Sequence, residues 1–132
     1  MNEEKEKLET VAAKLGIGHY HRHVFLCTGP KCCTPEVGTE AWEKLKQSLK
    51  DENLMAGPNA CYRTKVGCLR ICQDGPTMVV YPEGTWYHGM CAEKIPEFVR
   101  KHLREGKAIA EWVFARNPLT GKETGDESPR TL

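Results

Sequence analysis

Apolar and polar residues follow a changing period along this chain, and each change marks an element. Over residues 3–15, Leu8, Val11, Ala12 and Leu15 recur at i, i+3, i+4 and i+7 among Glu and Lys, with Gly16 as a stop, which predicts an amphipathic N-terminal helix. After Gly16 and Gly18, the short apolar run His23–Cys27 ends at a Thr-Gly-Pro turn and predicts a buried strand. A second helix is expected from Glu40 to about Lys50, capped by Thr39, with Trp42, Leu45 and Leu49 on one face. Pro58-Asn59 breaks the chain before a weakly alternating strand over 60–66.

Met78–Tyr81, the Pro82-Glu83-Gly84 turn and Thr85–Tyr87 predict a β-hairpin. A last helix follows over 92–104, its stripe formed by Ile95, Phe98, Val99 and Leu103, with Pro96 tolerated in the first turn. The segment 109–114 is apolar, but its period does not separate strand from helix, and the residues after Asn117 read as a flexible tail. The order β, α, β, hairpin, α is that of a thioredoxin-like α/β fold, with a central mixed β-sheet, flanking helices and an N-terminal helical extension. The expected division is a helical extension over 1–19, the α/β domain over 20–106, and a C-terminal extension with a flexible tail over 107–132.

Composition narrows the function classes. With 39% hydrophobic and 28% charged residues the chain is globular, and a net charge of +1 gives no nucleic-acid signature. No apolar run approaches the roughly 18 to 20 residues of a membrane span. The first residues, Met-Asn-Glu-Glu-Lys-Glu-Lys, lack the apolar stretch of a secretory signal and are too acidic for a transit peptide, so a cytoplasmic setting is expected. In that setting clustered cysteines are more often metal ligands or catalytic thiols than disulfides.

There are seven cysteines, and four form two short-spaced pairs, Cys27-x4-Cys32 and Cys68-x3-Cys72. Two loops at strand ends can supply thiolates from different directions, as an iron–sulfur cluster requires, while Gly29 and Gly67 let backbone approach closely. Four thiolates also satisfy tetrahedral zinc, although its knuckles are usually C-x2-C. Unligated buried thiols are the third alternative. No C-x-x-C occurs, which disfavours dithiol exchange chemistry, and no G-x-G-x-x-G marks a flavin or nicotinamide site.

The stretch Val24–Cys32 together with Val66–Tyr87 resembles the thioredoxin-like 2Fe-2S ferredoxins, and also the small iron–sulfur subunit of NADH-quinone oxidoreductases and related hydrogenases. The likeness covers about residues 20–105 and is most specific from Gly67 to Tyr87. It implies a low-potential one-electron carrier, not an enzyme on its own, with a 2Fe-2S cluster ligated by Cys27, Cys32, Cys68 and Cys72. It also implies a homodimer, and redox protein partners such as a reductase or an acceptor enzyme. Cys33 directly follows Cys32, so the second ligand is ambiguous by one position; the family's x4 spacing favours Cys32.

Two other functions compete: a structural zinc module, and a redox or cluster-status sensor acting through Trp112 and Phe114. Cys61 and Cys91 have no short-spaced partner and read as packing residues. His19, His21 and His23 alternate as a metal-binding strand face would. Lys31, Lys65 and Arg70 lie near the cysteines in sequence and are candidates to balance a reduced cluster or steer an acidic partner. Trp86 and Tyr87 are candidates for an electron path or a dimer contact, against plain packing.

Overall fold

The computed structural model describes residues 2–119. Five strands form one mixed sheet in the order β2-β1-β3-β4-β5. Its strands are β1 (Arg22–Cys27), β2 (Cys61–Val66), β3 (Met78–Tyr81), β4 (Thr85–Tyr87) and β5 (Val113–Arg116). β1 runs parallel to β2 and antiparallel to β3, so the central strand joins a βαβ unit to a hairpin. The crossover between β1 and β2 is α2 (Pro35–Asp51). This is the mixed sheet with flanking helices read from the element order.

The helix α2 starts five residues before the expected Glu40. Thr34, not Thr39, is its cap: the Thr34 hydroxyl accepts from the Val37 amide at 3.2 Å, and Pro35 occupies the first turn, where it needs no donor and its fixed φ suits the helix. Gly38 is buried against Thr28, where a Cβ would lie 2.8 Å from the Thr28 Cα, so the glycine lets this early turn pack on the end of β1. Leu45 and Leu49 enter the core as expected, and half-buried Trp42 covers the Arg63 guanidinium at 5.9 Å.

The last helix is three pieces: a 3-10 turn Ala92–Lys94, α3 (Ile95–Phe98) and a π turn Val99–Arg104. Its stripe is buried as expected, with His102 added. α2 and α3 cover one face of the sheet, and Val24, Leu26, Met78, Val80 and Tyr87 meet Leu45, Leu49 and Phe98 there. Side chains alternate across a strand, so His23, Phe25, Tyr62, Tyr81 and Trp86 stand on the opposite face, where aromatic rings contact one another without a covering helix.

The ambiguous segment resolves into a 3-10 turn, Ala110–Trp112, followed by β5, which extends the sheet beside β4. Buried Ile109 anchors its start in the core. Asn117 N–H donates to Gly84 O at 2.7 Å, and within the expected tail Leu119 N–H donates to Pro82 O at 3.0 Å, so the chain pairs back along the hairpin turn. The rest of that expected tail lies outside the described residues.

The N-terminal helix, α1 (Asn2–Lys14), forms where the period places it, but its stripe faces solvent. None of its residues is buried, and Leu8 is 69% exposed. Glu3 and Glu4 in its first turn and Lys14 in its last complement the helix dipole.

A polar chain crosses the core edge. The Ile109 amide donates to the Tyr87 hydroxyl at 3.1 Å, and that hydroxyl bonds His102 Nδ1 at 2.6 Å. His102 Nε2 faces Glu83 at 3.5 Å, and Arg22 Nε donates to the same carboxylate oxygen at 2.6 Å. Burial alone would raise the Glu83 carboxyl, but hydrogen bonds from His102 and Arg22 outweigh it and hold the group at about 2. A carboxylate depressed in the folded state stabilises the fold above its unfolded value of about 4.3, and loses that contribution as pH falls toward about 2. With a third of the side chain exposed, Glu83→Gln is expected to cost about 1–2 kcal/mol at pH 7. The difference from wild type should close on acidification, as read by urea titrations at stepped pH. Packing gives a second contrast. Leu45→Ala should cost about 2–5 kcal/mol, whereas Leu8→Ala should stay within about 0.5 kcal/mol in the same titration.

Candidate metal centre

The end of β1 brings the cysteine loops together. Cys27 closes the strand, and its amide donates to the Thr77 carbonyl at 2.8 Å just before β3 begins. The following loop turns back so that Cys32 Sγ lies 2.8 Å from Cys27 Sγ. Both thiols are buried, at 3% and 7% exposure. The end of β2 delivers the second loop. The Thr28 amide donates to Val66 O at 3.1 Å, and the Gly67 carbonyl lies 4.0 Å from Cys27 Sγ.

Cys68 and Cys72 stand on that second loop and are exposed. The Arg70 amide donates to Cys68 Sγ at 3.2 Å. Arg70, Cys72 and Asp74 all have left-handed backbone, with φ of 72°, 62° and 54°. Non-glycine residues adopt this conformation at a cost of about 1–3 kcal/mol each, and only where their surroundings impose it. Here the loop is tied at its far end, where the Gly75 amide donates to Cys32 O at 2.9 Å and Gly89 donates to Asp74 O at 2.7 Å. A Cβ on Gly75 would sit 2.9 Å from Cys32 Sγ. The missing side chain lets the two loops meet.

The electrostatics are mixed. Burial, together with the hydrogen bond that Cys27 donates to Cys32, pushes the Cys27 thiol up, while backbone hydrogen bonds from Gly29 and Leu69 pull it down. Those amides point at the sulfur from both cysteine loops, a pattern suited to an anionic sulfur ligand. Cys27 and Cys32 are thus in direct contact, Cys68 and Cys72 occupy the facing loop, and among the described residues no three His, Cys, Asp or Glu side chains close around a metal position. Four thiols, amides directed at Cys27 and Cys68, and a glycine where the loops touch fit a sulfur-rich iron cluster.

The remaining candidates separate from this end. Cys33 Sγ is 3.8 Å from Cys32 Sγ, half-buried, with its thiol pushed up by burial. Buried Cys61 is pushed to about 11 by desolvation, and Cys91 is half-buried with its thiol raised chiefly by its hydrogen bond with Glu93. β1 begins at Arg22, so only His23 of the three histidines lies in a strand, and its Nε2 is 2.7 Å from Thr64 Oγ1. Four residues separate it from Cys27, about 13 Å along the strand, so the histidines stand at the wrong end for ligands. Trp86 packs on Phe114, and Tyr87 is core. Lys31, Lys65 and Arg70 are exposed.

Sequence reasoning missed Thr77 and the bridging role of Gly75. The available signal was a Gly-Pro-Thr run placed between the second cysteine pair and β3, with a polar residue leading into the apolar run Met78–Val80.

Among the described residues no helix is long and apolar enough to cross a membrane. No protein-family model matches the chain. It is 30% identical over 94 residues to a 2Fe-2S ferredoxin of Clostridium pasteurianum, spanning 66% of this chain and 89% of that one. A 2Fe-2S ferredoxin of Aquifex aeolicus is 26% identical over 107 residues, covering 76% and 95%. The crystal structure of the thioredoxin-like [2Fe-2S] ferredoxin from Aquifex aeolicus superposes with a TM-score of 0.64 at 27% identity, over 73% of this chain and 98% of that one. The expected resemblance therefore holds in sequence and in fold, and the chain belongs to the thioredoxin-like 2Fe-2S ferredoxin family.

Proposed function

We propose that this chain carries single electrons between protein partners on a 2Fe-2S cluster held by Cys27, Cys32, Cys68 and Cys72. The observation that carries this reading is the meeting of two cysteine loops at one end of the sheet, tied by the Gly75–Cys32 and Thr28–Val66 backbone bonds. When bound, the cluster accepts and releases one electron, with no bond made or broken on a substrate. The chain is therefore an electron-transfer protein and not an enzyme.

Its own residues set the terms of the exchange. The thiolates hold the iron, while the amides of Gly29, Leu69 and Arg70 direct N–H groups at ligand sulfurs and favour the more negative state. Cys27 and Cys32 form the inner wall, and the exposed Cys68–Cys72 loop is the side that a reductase or acceptor enzyme approaches. Lys31, Lys65 and Arg70 lie on these loops or at their edge, and offset the roughly −2 charge of an oxidised cluster with its four thiolates. A site of free thiolates suits a reducing compartment, and on that ground we place the chain in the cytoplasm. The ferredoxin domain takes in 20–106, with 1–19 as a helical extension, and the C-terminal extension from 107 adds β5 to its sheet edge.

The uncovered sheet face supports a homodimer. His23, Phe25, Tyr62, Tyr81 and Trp86 share it, and none carries a fixed charge that would repel a second copy. Aromatic surface of this kind is typical of interface centres.

Anaerobically purified protein is expected to absorb in the visible, contain iron and acid-labile sulfide in equal amounts, and give a paramagnetic signal on reduction. A colourless zinc protein would end the reading. Cys72→Ala should lose the cluster, whereas Cys33→Ala should keep the wild-type spectrum; a bleached Cys33→Ala protein beside an intact Cys32→Ala protein would move the second ligand to Cys33. Tyr81→Glu should halve the mass measured by light scattering, and a wild type already at the chain mass would remove the dimer.

A further inference from the structure

Thr77 is fully buried, and its hydroxyl has no hydrogen-bond partner among the described residues. An unpaired buried hydroxyl is destabilising, and this one follows directly on the loop that meets the cysteines. Leu26 pairs with Met78 across the β1–β3 ladder, which sets Cys27 opposite Thr77, and the Cys27 amide bonds the Thr77 carbonyl. Residues opposite one another in an antiparallel pair point to the same face. Leu26 and Met78 both enter the helix-covered core, so Thr77 turns its side chain to the other face with Cys27. Two residues earlier, Gly75 lies against Cys32 Sγ. The orphan hydroxyl is thus enclosed on the side of the inner cysteine pair, where the chain's own groups leave it nothing to donate to.

We infer that Thr77 Oγ–H donates a hydrogen bond to a sulfide of the cluster, and thereby raises the reduction potential. This inference rests on the cluster proposed above. A hydroxyl donor stabilises the extra negative charge of the reduced state more than the oxidised state, so its removal favours oxidation. Thr77 acts here as a tuning residue and not as a ligand.

The test is a redox titration of the full-length holoprotein followed by electron paramagnetic resonance, comparing wild type, Thr77→Val and Thr77→Ser. Thr77→Val conserves shape and removes the donor. It should keep iron and sulfide content while weakening electron uptake about tenfold, a fall of about 59 mV for one electron. Thr77→Ser should restore most of the wild-type potential. An unchanged potential in a fully loaded Thr77→Val protein overturns the assignment while leaving the ferredoxin reading intact. A wild type without a 2Fe-2S spectrum overturns both. If Thr77→Val does not retain its cluster, wild type in deuterated and ordinary water decides by electron–nuclear double resonance. An exchangeable hydrogen coupled to the cluster that persists in Thr77→Ser and disappears in Thr77→Ala supports the donor, and the same set of couplings in all three proteins refutes it.

Discussion

The structure depends on the two-sided pairing of β1. Because this strand is parallel to β2 and antiparallel to β3, its carboxyl end lies beside the end of one neighbour and the beginning of the other. Each of those points opens into a loop carrying cysteines or packing against them. A parallel neighbour needs a long crossover, and α2 supplies it, so the first cysteine loop runs from β1 directly into a capped helix. The antiparallel neighbour needs no crossover and brings Gly75–Thr77 back across the same end. The thiol-rich corner follows from this topology before any metal is considered.

Much of this was legible in the sequence because the informative residues act locally. Val24 and Leu26 alternate with half-buried Phe25, and the Pro-Glu-Gly turn defines its hairpin. The four cysteine positions stand at strand ends, as their flanking patterns indicate. The start of α2 was misread because Thr34 and Thr39 are chemically equal caps. Pro35 directly after Thr34 is the local signal for the earlier cap, and the close approach of Gly38 to Thr28, a tertiary contact, favours it too. The β5 strand was undecided for a related reason: its only periodicity comes from pairing with β4, beyond the reach of a local window. The hydrophobic stripe of α1 was read correctly as a pattern, but a stripe does not say what covers it, and among the described residues nothing does.

The site shows the same division. Cysteine spacing and the Gly67–Tyr87 run identify the family and thus the chemistry. Spacing does not reveal that the two pairs differ so much in access, or that amides from Gly29 and Leu69 converge on Cys27. Thr77 shows in the sequence only as the polar end of a Gly-Pro-Thr run; that its hydroxyl lacks a partner among the described residues is a tertiary fact.

The difference in access between the two cysteine pairs gives the proposed centre a built-in order of assembly and decay. Cys27 and Cys32 are walled in by strand, helix and the glycine contact, whereas Cys68 and Cys72 ride on a loop bent through three left-handed residues. Iron delivered from solution meets the outer thiols first, and oxidants reach the same pair first. The inner pair is then the buried half of the proposed centre, and the outer pair its accessible half. The lifetime of the holoprotein in air is accordingly a property of that outer loop, more than of the folded core beneath it.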